Sequence, residues 1–125
     1  MIHANELRIG NWVNAPSGNV KVSAIGDKYF QDQKYGTFYF VRSEPIALTE
    51  EILLKAGFEK ASVKDWWGGL LINMGNDGCK IRIRQNEDGW FFSFNCETLY
   101  IKCKSIHQLQ NLYFALTGIE LEITL

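Results

Sequence analysis

Apolar positions recur every three to four residues between Ser105 and Gly118, and this stretch carries the strongest pattern in the chain. At 100° per residue, Ile106, Leu109, Leu112, Tyr113 and Leu116 fall in an arc of about 120°, a stripe suited to a core. Ser105 is placed as N-cap with Gln108 completing a capping box, and Gly118 stands where a left-handed residue ends a helix. A second, shorter helix is predicted over about Glu50 to Ala56. Thr49 caps it, Glu50 and Glu51 complement its positive end, and Leu48 can staple onto Leu53. Gly57 stops it, with Phe58 folding back on Leu53.

Elsewhere the period is two. Leu7 to Asn14, Val20 to Ala24, Tyr29-Phe30 and Thr37 to Val41 read as four short strands separated by Pro- and Gly-bearing turns. Their close spacing predicts a small, curled, barrel-like β-module. Pro45 marks a junction, because proline cannot sit in a central strand. Beyond the first helix, Leu70 to Met74, Cys79 to Arg84, Trp90 to Asn95 and Leu99 to Lys104 read as a four-stranded antiparallel meander. Asp77-Gly78 and the turn at Asn86 to Gly89 separate its earlier strands. Leu121 to Leu125 reads as a short final strand. The fold class is therefore α+β. The β-module occupies residues 1–44, and an α+β domain with both helices on one face of the sheet occupies 45–125.

Composition narrows the function classes. With 46% hydrophobic and 14% aromatic residues, the 125-residue chain has enough apolar content for a packed globule. A formal charge of −1 supplies no global attraction to nucleic acid or to anionic lipid, so binding of either kind needs a local patch. Three cysteines, none in a CxxC pair, argue for reduced thiols in a cytoplasmic protein rather than a disulfide framework. No apolar run is long enough to span a membrane.

Three constellations stand out as candidate binding surfaces. In Cys79 to Arg84 and Leu99 to Lys104 the alternation puts Lys80, Arg82, Arg84, Tyr100, Lys102 and Lys104 on one side of the sheet, joined by Phe91. Cations interleaved with rings are what a single-stranded nucleic-acid platform uses, and a solvated sheet face is the bland alternative. The adjacent Trp66 and Trp67 point to opposite faces of an extended chain, which suits one of them to ring stacking on a base, sugar or partner; the alternative is that both fold over the core as a lid before the hairpin. The third is the off-stripe face of the long helix, where His107, Gln110, Asn111 and Phe114 resemble a partner surface. Its alternative is that Phe114 meets Ile119 at the helix end while His107 is an exposed first-turn residue.

Catalytic patterns are poor. Cys96 or Cys103 with His107 is the one nucleophile pair the residue types allow, and Cys103 falls on the inward set. The glycines form neither a dinucleotide fingerprint nor a P-loop, and no metal-ligand spacing occurs. No enzyme activity, cofactor or metal is expected.

Two resemblances follow from quoted stretches. Arg8-Ile9-Gly10-Asn11-Trp12-Val13, with Gly18 and Val20 to Ile25, resembles the opening hairpin of Src-homology-type or KOW-type barrels. ELRIGNWV (6–13), PIALTEEILLKAGF (45–58) and IHQLQNLYFALTGIEL (106–121) resemble a recurrent pattern in small proteins encoded by phages, prophages and mobile elements of gut anaerobes. That resemblance implies a bacterial cytoplasm and an accessory role, and it carries no activity or site residues. The expectation is a non-enzymatic binding or accessory protein with a protein partner. The alternatives are a single-stranded nucleic-acid-binding module and, third, a small enzyme.

Overall fold

The computed structural model describes residues 1–62, 68–73, 80–94 and 101–125. These form two antiparallel sheets and one main helix, an α+β architecture. They divide into two compact units. The first comprises Met1–Ala47 with Ser105–Ile123 and Leu125, and the second comprises Leu48–Lys104 with Thr124.

The first unit is built on a four-stranded sheet in the order β1 (Trp12–Ala15), β2 (Gly18–Ile25), β3 (Tyr29–Asp32) and β4 (Thr37–Tyr39). Val13, Val20, Val22 and Phe30 alternate inward, and with Ile2, Ala15 and Phe40 they make one apolar core. The strands are consecutive neighbours and β1 does not pair with β4, so the expected barrel is an open sheet. Its curl has a local cause. The register of β2 against β3 shifts between Val22 and Ala24, leaving Ser23 as an extra residue that increases twist without closing the sheet. The Ser23 hydroxyl donates to the Asp32 carbonyl at 2.6 Å, anchoring the bulge.

Helix α2 (Ile106–Thr117) belongs to this unit and packs against β1. The Ser105 hydroxyl accepts from the Gln108 N–H at 3.3 Å. Gly118, at φ 71°, donates its N–H to the Phe114 carbonyl at 2.8 Å. The helix therefore ends in a left-handed cap that only glycine adopts cheaply. Ala47, which closes the first segment of the unit, lies close to the expected boundary at 44, whereas the helix grouped with 45–125 returns to the N-terminal sheet. Polar bonds from β1 and the loop before it fix that placement, and hydrophobic periodicity does not encode them. The expected final strand is also absent: 119–125 is irregular, with Leu121 and Ile123 buried by their side chains.

The second unit carries a five-stranded sheet in the order β5 (Glu59–Lys60), β6 (Leu70–Asn73), β7 (Lys80–Asn86), β8 (Gly89–Phe94) and β9 (Ile101–Cys103). Helix α1 (Glu50–Lys55) precedes it, and the Thr49 hydroxyl accepts from the Ile52 N–H at 3.2 Å. The Phe58 N–H reaches back to the Leu53 carbonyl at 3.1 Å, and Leu48, Leu53 and Phe58 are all buried. The sheet gains β5 over the expected four strands because residues just after α1 pair with β6.

Candidate functional site

The register of the second sheet settles which residues share a face. Arg82 stands opposite Ser93, Arg84 opposite Phe91, and Phe91 opposite Lys102. Lys80 follows from the same alternation. The face does not form an open cationic platform, however. Arg82 is only 7% exposed and Ser93 is buried beside it. Arg82 lies on β7, paired on both edges, with Leu71 and Ser93 as its lateral neighbours. Alternation identifies a side of the sheet but not whether that side is covered. Lys80 and Phe91 are half-buried, while Arg84, Lys102 and Lys104 are exposed. All five cations already engage other groups of the chain. Tyr100, Trp66 and Trp67 lie outside the described residues.

Most of the off-stripe face of α2 is turned toward the rest of its unit, with Phe114 the exception. Gln110 is 1% exposed. Its Oε1 accepts the Trp12 N–H at 2.9 Å and its Nε2 donates to the Gly10 carbonyl at 3.0 Å. Asn111 accepts from Arg8 Nε at 3.2 Å and Asn11 Nδ2 at 2.9 Å, and donates to the Glu6 carbonyl at 2.9 Å. The turn entering β1 leaves several backbone groups outside the ladder, and these two amides satisfy them.

His107 is likewise buried, correcting its reading as a surface residue. Its Nδ1 is 3.2 Å from the Ser105 hydroxyl and its Nε2 is 3.8 Å from Glu6 Oε1. Burial pushes the imidazole below the ordinary histidine value, and the Glu6 carboxylate pulls it partly back. Serine, histidine and carboxylate are thus close, yet Ser105 is buried and already serves as the N-cap of α2. Cys103 is buried, and Cys96 lies outside the described residues. Among the described residues no group of three His, Cys, Asp or Glu side chains is placed to hold a metal ion. No described helix is long and apolar enough to cross a membrane.

Phe114 alone of that helix face remains exposed. The Arg8 guanidinium lies 4.3 Å from its ring centroid. The same guanidinium forks onto Glu120, at 2.6 Å from Nη1 and 3.0 Å from Nη2. Ile9 and Ile119, the chain neighbours of the two ion-pair partners, are 60% and 62% exposed.

A surface that sequence reading missed lies on the outer face of the first sheet. Tyr29 and Tyr39 stand opposite one another and are both exposed, while Phe30 and Phe38, one residue along, face inward. Tyr35, in the β3–β4 turn, is 86% exposed at φ 65°. The Tyr-Phe and Phe-Tyr alternation was the available signal. Beside Tyr39, a depression of about 310 Å³ is lined by Ile2, Phe40 and Val41, with Lys28 among its polar members. In the second unit, Glu50, Lys60, Arg84 and Trp90 help line an open depression of about 420 Å³. Lys60 Nζ lies 3.4 Å from Glu50 Oε1 there. Neither depression is lined by Ser105, His107 or Cys103.

No protein-family model, curated protein or solved structure matches the chain.

Proposed function

We propose that the chain is a non-enzymatic binding or accessory module that acts through a protein partner, with the apolar surface around the Arg8–Glu120 ion pair as its contact. The observation that carries this reading is the combination of exposure and fixation at that point. Ile9, Phe114 and Ile119 are exposed, while the Arg8 guanidinium is held by Glu120, Asn111 and the Phe114 ring. Apolar anchors around an already ordered arginine are what a binding hot spot needs, because little side-chain entropy is left to lose on association. The resemblance to small phage and mobile-element proteins supports an accessory role in a bacterial cytoplasm.

Affinity capture from a bacterial host lysate, with the intact chain as bait, tests the reading. One protein should be retained in a fixed ratio by the native chain and lost with the double variant Ile9→Asp, Ile119→Asp at unchanged thermal midpoint. Retention of the same protein by the double variant, or capture of none by the native chain, counts against it.

A further inference from the structure

We propose that the outer face of the first sheet binds single-stranded nucleic acid, with Tyr29, Tyr35 and Tyr39 stacking on bases and Lys28, Lys34 and Arg42 meeting phosphates. This goes beyond the protein-partner reading and uses none of its residues.

Three observations carry it. The rings are presented rather than packed: Tyr29 and Tyr39 form a cross-strand pair on the face opposite the core, and Tyr35 projects from the adjoining turn. That turn is rigid. Asp32 Oδ1 accepts the N–H groups of Lys34 at 2.9 Å and Gly36 at 2.7 Å. Tyr35 is the one described non-glycine residue with positive φ, a conformation costly for a bulky side chain, and the chain holds it there almost fully in water.

The charges are also available. Lys28, Lys34 and Arg42 are exposed and form no ion pair among the described residues, unlike Arg8 of the same unit. The acidic groups on these strands and turns are Asp27 and Asp32; the two N–H bonds that Asp32 accepts leave its charge in place, so three cations against two carboxylates give a local excess of one positive charge. On a net −1 chain these three exposed cations lie within a few sequence positions of the three rings.

The surface between the rings chooses the occupant. Gln31 and Thr37 pair there, so the face between the tyrosines is polar. A protein interface needs an apolar centre, whereas a single strand needs rings for stacking and cations for its backbone.

Fluorescence anisotropy with labelled oligothymidylate and oligouridylate at low salt, on the intact chain, tests this. The logarithm of affinity should fall linearly with the logarithm of salt, with slope about −0.7 per phosphate neutralised. Lys34→Gln and Arg42→Gln should each make that slope shallower. Tyr29→Ala and Tyr39→Ala should each weaken binding about 5- to 100-fold. If a strand variant fails to fold, Tyr35→Ala in the exposed turn carries the same test. No binding at low salt overturns the proposal. So does loss of binding with Arg84→Gln, Lys102→Gln on the second sheet while the tyrosine variants bind normally. Equal competition by polyglutamate also overturns it, in favour of an acidic protein.

Discussion

Arg8 and Glu120 lie 112 positions apart in sequence and meet as a forked pair, at 2.6 and 3.0 Å. The pair ties the segment after α2 to the loop that leads into β1. Its geometry needs a planar guanidinium, because both carboxylate oxygens are engaged and the same group covers Phe114. Arg8→Lys keeps the charge but loses the fork, the ring contact and the Asn111 bond. We expect Arg8→Lys to lower stability by about 1–2 kcal/mol, close to the effect of Arg8→Ala. Urea titration followed by circular dichroism measures this. An unchanged midpoint for the lysine variant would mean that charge alone matters.

Gln110 makes a sharper case, because it is buried and uses both ends of its amide. Gln110→Leu keeps the volume but leaves the Trp12 N–H and the Gly10 carbonyl without partners. Each orphaned buried group costs about 1–3 kcal/mol, so the total should exceed that of Arg8→Lys. Hydrogen exchange at the Trp12 amide should accelerate in the same variant, which separates loss of this bond from general loosening. Gln110→Glu retains the acceptor for Trp12 but turns a carboxylate toward the Gly10 carbonyl, and its deficit should shrink as pH falls.

These two residues also mark where sequence reading stopped. The caps of α1 and α2 were legible because capping is local: Thr49, Ser105 and Gly118 act within four residues of themselves. The docking of α2 was not, since Gln110 and Asn111 find their partners about 100 positions away and a polar helix face ordinarily meets water. Arg82 illustrates a second limit. The alternation of β7 gives its side of the sheet, but the covering of that side is a tertiary property. The outer tyrosines differ from both: Tyr29-Phe30 and Phe38-Tyr39 already separate ring from ring by face, a signal that is local and contained in the sequence.

His107 makes acid pH destabilising. Its folded value lies below the ordinary 6.5, because burial outweighs the pull of Glu6. The unfolded chain therefore binds the proton more readily, and stability falls as pH drops. The contribution is fully present above about pH 7.5, declines through 6.5, and levels off below the folded value. His107 sits in the first turn of α2, whose positive end further disfavours imidazolium. His107→Gln should flatten the decline in stability that sets in as pH falls below about 7.5. Glu6→Gln should steepen it, because it removes the one group that raises the imidazole. A native profile that is already flat over this window would show that the ring is not closed off in solution.

Gly68 and Gly69 offer a matched pair within the second unit. Both have positive φ, 71° and 78°, so alanine at either one incurs the left-handed penalty of about 1–2 kcal/mol. Among the described residues only Gly69 adds a steric conflict, since a Cβ there would lie 2.6 Å from the Ile83 carbonyl oxygen, whereas at Gly68 none of them lies within 4 Å. The obstacle belongs to the backbone of β7, so no rotamer change relieves it. The Gly69 carbonyl also accepts the Ala61 N–H at 2.9 Å, so displacing residue 69 loosens a second contact. Gly68→Ala should therefore cost only the conformational term, while Gly69→Ala should cost more than about 3 kcal/mol and broaden the amide signals of β6 and β7. Measured side by side, equal losses would mean that β6 can shift away from Ile83 at little cost and that the close approach at Gly69 is not required by the sheet.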